Sequence, residues 1–498
     1  LWLAVHQGFR LALAAVESGA SVIVFEKAST TGGAGNMAFG PFAVESRLQR
    51  LMQITFSKED AFWVHMQYTK WRVNAQLVKA WIDKSPTTID WLEKMGVEFL
   101  EVGCHNPGFP FTWHVIKSLN KDEERPGNAG AAMRVMTERA KKLGVKFHFR
   151  TAAKKLIKKG RRIEGVIAED ESGENIQATA RAVVLATGGF GDNPAMIKKY
   201  TPFEVGRTLF NTRIPGATGD GMRMAWEVGA APTEMIVHLT PPRVPDLEDF
   251  DLAAFLFRQA SLIVNQEGER FMNEETMDNP THIGNALAVQ KNGCGYLMFD
   301  ENALIHYETV GLDTPLDGVG AVLMPDVTTA TLRPILDKGY KNVFAADSLE
   351  KLAEQTGMNK ENLVKTIAEY NSFCDSGYDA RFHNKHKFLR PVRRPPFYAG
   401  RLFPGSVGTL GGIKCNHRLW RSSHRPLRLF QGYMPRAMRP IQHKARVMPI
   451  AFQAAHLVLP STAGGLPEKT RRDTRNPYQI NRKKILGSSF SITYLRRE

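Results

Sequence analysis

Residues Ala20–Gly33 read A-S-V-I-V-F-E-K-A-S-T-T-G-G. Ser21–Phe25 is a short apolar, β-branched run, which predicts a buried strand. The strand ends on an acid, Glu26, followed by Lys27 and then by Gly32 and Gly33. A carboxylate closing the second strand of a βαβ unit is placed to take the hydroxyls of an adenosine ribose. Upstream, Leu11–Gly19 (L-A-L-A-A-V-E-S-G) is rich in helix formers and stops on glycine, as the helix of such a unit would. Downstream, Gly32-Gly33-Ala34-Gly35-Asn36 has the composition of a loop whose backbone is closely approached. A strand, an acid and paired glycines also occur in plain strand–loop packing, so the rest of the unit has to be found elsewhere. The phosphate-cradling G-x-G-x-x-G that should precede Leu11 is missing, because Leu1–Arg10 contains only Gly8.

With 498 residues, 43% hydrophobic and 23% charged, the chain has room for two or three domains and is not of disordered composition. Cys104, Cys294, Cys374 and Cys415 are scattered without a C-x-x-C pair, which predicts reduced structural thiols and no metal site. No apolar run is long enough to span a bilayer and no signal core opens the chain. A cytoplasmic location is the default expectation, and the first residue, Leu1, is compatible with a lost leader. The net charge of +16 is unevenly spread. From Arg418 onward 17 Lys or Arg face three acids, a surplus of 14 that leaves about +2 for the preceding 417 residues. The tail lacks interleaved aromatics and amphipathic order, so nucleic-acid and membrane-surface binding rank last.

Helical spacing runs through Leu51–Leu100, where the aromatics read as core, and through Met133–Lys142. Gly144–Phe147 predicts a strand, and Lys154–Glu174 a two-stranded hairpin. Ala182–Ala186 is continuously apolar, which predicts a strand covered on both faces, and it ends in Thr187-Gly188-Gly189-Phe190-Gly191. Thr218-Gly219-Asp220-Gly221, Gly268–Glu274 (G-E-R-F-M-N-E) and Gly405–Asn416 (G-S-V-G-T-L-G-G-I-K-C-N) follow.

In this order the motifs resemble the FAD-dependent fumarate reductase and succinate dehydrogenase flavoprotein superfamily, which also contains ketosteroid dehydrogenases and urocanate reductases. The likeness covers residues 20–416. It implies an α/β fold: a Rossmann-like FAD-binding domain with a parallel sheet, interrupted by an α+β capping domain. By motif position the FAD domain occupies 1–233 and 405–417, the cap 234–404, and the basic tail 418–498. The active site would lie between the cap and the isoalloxazine ring, and electrons would come from a donor protein or domain.

The resemblance assigns Glu26 to the ribose, Lys27 to the cofactor site, and Gly32, Gly33 and Asn36 to the flavin or pyrophosphate. Ala152 or Ala153 would meet adenine through backbone, Thr187, Gly188 and Gly189 would line the cofactor, and Asp220 would help to fix it. An Asp at that turn can equally be a local cap. Because Thr31–Gly40 contains no histidine, the FAD is expected to be non-covalent. On the substrate side, His238-Leu239-Thr240 matches the family's His-x-Thr, and Arg270 and Glu274 complete the catalytic candidates. Arg270–Glu274 can also be read as a buried structural pair. Val407 and Gly408 stand where a fumarate site would have histidine, and Leu304 where it would have its proton-donating arginine. Two carboxylates need such cations once water is expelled, so a dicarboxylate site is not predicted. The expected reaction is FAD-dependent oxidation or reduction of a carbon–carbon bond beside a carbonyl or carboxyl group.

Both ends depart from the family pattern. Reading from the third base of each codon, Leu1–Phe9 permits V-A-G-G-T-S-G-L and Gly432–Met438 permits L-Y-A-A-G-N. In the same frame Leu459–Lys469 permits A-V-N-S-G-R-I-A-G-E. The hypothesis is of two frameshifts, near Arg10 and near Leu419, with a poorly ordered tail and a non-catalytic remnant with weak or no FAD binding as the alternative function. A cognate transcript in which both junctions are in frame would remove it.

Overall fold

The computed structural model describes residues 12–38, 40–104, 110–118, 129–248, 252–313, 338–416 and 446–449. They fall in one compact unit, Leu1–Leu459; a second, Pro460–Glu498, lies outside the described residues. The expectations for the phosphate loop, and for the tail apart from 446–449, also fall outside them.

Residues 12–17 are helical and lead through Gly19, at φ 80°, into β1 (Ile23–Phe25). The helices α1 (Lys58–Tyr68) and α2 (Ala75–Lys94) follow. Ser57 and Asp60 form a capping box at the start of α1, and Asn74 caps α2. β2 (Phe99–Gly103) and β3 (Trp113–Ile116) pair antiparallel, and α3 (Ala129–Lys142) leads to β4 (Lys146–His148). β1 and β4 are parallel, in register from Ile23 opposite Lys146 to Phe25 opposite His148. Ala132, Met133 and Met136 on the buried face of α3 join Leu13, Leu92 and Val145 in one apolar core. Not all the aromatics of this region are core: Trp63 and Trp71 are 47% and 50% exposed and meet edge to face.

The expected hairpin is a three-stranded antiparallel sheet of β5 (Ala152–Lys159), β6 (Arg162–Glu169) and β7 (Asn175–Thr179). β8 (Ala182–Leu185) leaves Val184 37% exposed and buries only Leu185, so the predicted cover on both faces is not found. Its one sheet partner among the described residues is β15 (Arg446–Pro449), parallel to it, while Val183 packs partly buried against the core that holds Leu156 and Ile163.

After β9 (Phe210–Asn211) and α4 (Asp220–Glu227), a larger sheet takes over. Its order is β10 (Ile236–Arg243), β14 (Phe397–Leu410), β12 (Gly295–Asp300), β11 (Ile263–Val264), with β13 (Val343–Ala346) and β9 also pairing with β14. β12 is buried along its whole length, with Leu297 and Phe299 in one core and Tyr296 and Met298 in another. These cores are closed by α5 (Pro280–Ala288), α6 (Glu301–Thr309), α7 (Leu349–Thr356) and α8 (Lys360–Ser376). β14 runs through Pro404, the expected edge of the cap, without a break. One strand therefore ties the sheet at 295–300 to the closing turn.

Candidate active site

The expected adenosine end falls where β1 and β4 run side by side. Glu26 N–H donates to His148 O at 2.9 Å, and Thr151 N–H donates back to Glu26 O at 3.0 Å, so Ala152 lies next to the end of β1. The Glu26 carboxylate accepts from the Ala28 N–H at 2.9 Å. Burial pushes this carboxyl above its ordinary range, against the pull of that N–H and of Lys27. Lys27 turns the other way, donating to Asp220 at 2.6 Å and to Thr218 Oγ1 at 2.7 Å. Burial alone would raise Asp220, but Lys27, Thr218 and Arg223 together hold it below the usual carboxylate range. Both its oxygens are engaged within the protein, one by Lys27 and Thr218 and the other by Arg223. Asp220 thus ties Lys27 to the Thr218–Gly221 loop.

Gly32 and Asn36 are also brought together. A Cβ on Gly32 would stand 2.2 Å from Asn36 Oδ1, and Asn36 Nδ2 donates to Thr31 O at 3.0 Å. Gly33 opens the 3₁₀ turn Gly33–Met37. Thr31 is fixed to α3 by a 2.6 Å hydroxyl contact with Thr137.

Three glycine elements interlock beyond β8. Gly219 N–H donates to Gly189 O at 2.9 Å, and a Cβ on Gly221 would come within 2.1 Å of Thr187 Oγ1. Phe190 N–H donates to Thr409 Oγ1 at 3.1 Å, which joins the Thr187–Gly191 loop to β14. β14 then turns at Gly411 and Gly412 onto Thr233, whose Oγ1 accepts from Gly412 N–H at 2.8 Å. His238, buried on β10, pairs in register with Gly408, and Thr240 with Gly405. His238 is therefore carried to the junction of the Thr187–Gly191 loop and the closing turn.

Arg270 and Glu274 stay together but face no solvent. Arg270 donates to Glu274 at 2.9 and 2.6 Å and to Asp379 at 3.2 and 2.8 Å, and all three side chains are inaccessible. The guanidinium lies between the rings of Tyr370 and Phe382, at 4.9 and 5.0 Å. Glu274 also accepts from Asn384 at 3.3 Å. With Nε and both Nη groups used, this geometry fits a structural clasp rather than a reacting pair.

Sequence reasoning missed Tyr68 and the N-terminus of α5. Tyr68 OH donates to Asn279 Oδ1 at 3.4 Å, its ring stacks on His282 at 6.5 Å, and burial pushes its phenol up. Asn279 caps α5 through the same oxygen and is 1% exposed, while its Nδ2 has no hydrogen-bond partner among the described residues. Within α5, Gly284 packs on Leu239, the neighbour of His238. The one signal available was the Asn279-Pro280 cap, a general helix start without chemical content.

The residues present fit FAD at two places. A half-buried carboxylate with a raised pKa favours hydroxyl donors such as those of ribose. Among the described residues a Cβ on Gly188 or on Gly408 would meet nothing within 4 Å, and Gly408 lies opposite His238, so bare backbone there faces open space. Among the described residues no group of His, Cys, Asp and Glu could hold a metal ion, and no helix is long and apolar enough to cross a membrane.

A family model described as FAD binding domain matches residues 7–423. Vinyl phenol reductase of Lactiplantibacillus plantarum is 30% identical over 421 residues, covering 82% of each chain. NADH:fumarate oxidoreductase of Klebsiella pneumoniae is 27% identical, covering 82% of this chain and only 41% of that longer protein. Among solved structures, the 3-ketosteroid-Δ4-(5α)-dehydrogenase of Rhodococcus jostii RHA1 superposes with a TM-score of 0.62 at 23% identity, covering 84% of this chain and 85% of that one.

Proposed function

This chain belongs to the FAD binding domain family and is an FAD-dependent oxidoreductase; we propose that it reduces a carbon–carbon double bond beside a carbonyl or carboxyl group, or one conjugated to a phenol. The observation that carries the reading is His238 standing opposite Gly408, where the Thr187–Gly191 loop meets the closing turn. When bound, the isoalloxazine ring supplies the two-electron chemistry. Glu26 would hold the ribose, Ala152 the adenine, and the backbone of Gly32, Gly33, Thr187, Gly188 and Gly189 the rest of a non-covalent FAD. Lys27 and Asp220 keep these segments in place, with Asn36 packed beneath Gly32.

For the substrate, His238 would orient the polar group that activates the double bond. Tyr68, whose phenol burial raises further, can hold a proton at its hydroxyl near the N-terminus of α5. Arg270 and Glu274, proposed from sequence as catalytic, act from further away by fixing the Gly268–Glu274 loop to Asp379. The absence of cationic side chains at Leu304, Val407 and Gly408 argues for a substrate with at most one carboxylate. The likeness to vinyl phenol reductase supports that choice. An electron-donor protein or domain would complete the reaction, as only part of the longer relatives is spanned.

The test is to purify the full chain, add FAD, and record flavin absorbance near about 450 nm. Anaerobically reduced protein is then mixed with 4-vinylphenol, urocanate or fumarate. Reoxidation by vinylphenol or urocanate faster than by fumarate is expected, and His238→Gln should slow it by roughly 10²-fold. Reduced, FAD-loaded protein that none of the three reoxidises would overturn the reading. A second reading, a remnant with weak or no FAD binding, rests on the basic surplus that begins at Arg418. A chain that folds but takes up no FAD would decide for it.

A further inference from the structure

On the sheet of β12 and β14 lies a half-open cavity of about 360 Å³, lined by Arg207, Arg401, Gln266, Asn292, Tyr296 and Phe403 among others. Arg401 lies seven positions before Gly408 on β14, roughly 23 Å of strand. The cavity is thus distinct from the glycine elements and His238. Its lining holds two guanidiniums and no carboxylate.

Arg401 is held in one geometry. It pairs across the strands with Tyr296, donates from Nε to the Tyr296 hydroxyl at 2.9 Å, and reaches Thr356 O with Nη2 at 3.5 Å. Tyr296 OH donates to the same Thr356 carbonyl at 3.0 Å, and the guanidinium lies over the Tyr296 and Phe344 rings at 5.3 and 5.7 Å. Among the described residues no hydrogen bond uses Arg401 Nη1. Arg207, 64% exposed, is anchored among the described residues only through Nε to Glu204 at 2.7 Å, which leaves its Nη groups for a ligand. Asn292 donates to Gln266, and Gln266 to Cys294 Sγ at 3.1 Å, so the amides form a fixed wall. A guanidinium whose position is set by stacking and by one nitrogen, with others unused, is preorganised for an oxyanion. The volume suits a small organic acid or a mononucleotide, and the nearly buried Phe403 adds an aromatic surface.

We propose that this cavity is a second binding site, for a small carboxylate or phosphate ester held between Arg401 and Arg207. The experiment measures binding of benzoate, AMP and inorganic phosphate to the full-length protein by calorimetry, at two salt concentrations. Saturable binding of at least one probe, weakened by salt and reduced about tenfold or more by Arg401→Gln and by Arg207→Gln, is expected. Benzoate alone would identify a carboxylate site, and AMP or phosphate a phosphate site. Circular dichroism of each variant reports its fold. If Arg401→Gln does not fold, the exposed Arg207→Gln decides. No saturable binding of any probe at millimolar concentration, or binding unchanged in every folded variant, overturns the proposal.

Discussion

Lys27 Nζ lies 2.6 Å from Asp220 Oδ2, joining positions 193 residues apart in the chain. The contact locks the end of β1 to the first turn of α4, the two segments that would flank the adenosine half of the cofactor. Both side chains are about one-third exposed, so the pair is worth about 1 kcal/mol at most after solvent screening. Lys27→Met and Asp220→Asn should each weaken FAD binding several-fold, and the double variant should lose less than the two losses combined. Fluorescence titration with FAD across the four proteins checks this. Full additivity would mean that the two residues act independently.

Arg270 gives a prediction of opposite character. Replacing it by Met leaves Glu274 and Asp379 buried without their cation, which should cost about 3–5 kcal/mol of stability. Burial already raises Glu274, whereas Asp379, although burial opposes it, is held down to about 2 by Arg270 and backbone N–H groups. Urea unfolding measures the loss. A variant of unchanged stability and sharply lower turnover would instead place Arg270 in the reaction.

How legible the molecule was in its sequence depended on what each motif encodes. The glycine runs report backbone that is closely approached, and the structure finds those approaches: Gly221 against Thr187, and Gly32 against Asn36. Periodicity placed α2 and α3, since an apolar stripe is local information. Partner choice is not local. Nothing near Arg270 in the chain announces Asp379, 109 residues away, and nothing near Tyr68 announces Asn279, 211 residues away. Trp63 and Trp71 were misread because aromatic residues at helical spacing look alike whether they face the core or solvent.

Two buried histidines set a pH dependence. Burial lowers His65 and His114 to about 4, so both stay neutral in the folded chain, with His114 Nε2 2.7 Å from Ser46 Oγ. The unfolded chain takes up these protons near pH 6.5 and the folded one only near pH 4, so the unfolded state binds more protons between them. Stability should therefore fall as pH drops from 6.5 to 4, by up to about 3 kcal/mol for each histidine. Urea midpoints measured across this window should flatten in His65→Gln, and a slope unchanged in that variant would remove His65 from the account.

The closing turn should tolerate no side chain at Gly411. Its φ is 90°, and a Cβ there would stand 1.7 Å from the Glu234 carbonyl oxygen. Two penalties coincide: a left-handed backbone of about 1–3 kcal/mol for a non-glycine residue, and a clash with main chain that cannot rotate away. Relief requires the turn to lift from Thr233–Glu234, breaking the 2.8 Å bond from Gly412 N–H to Thr233 Oγ1 and moving the end of β14 that carries Gly408. Gly411→Ala should accordingly lower the melting temperature and weaken FAD binding together. Gly311→Ala is the control, since it shares a positive φ, of 104°, but would meet nothing within 4 Å among the described residues. It should lower stability modestly and leave FAD affinity unchanged. Equal effects of the two variants on FAD affinity would show that backbone strain, and not the docking of the turn, governs the site.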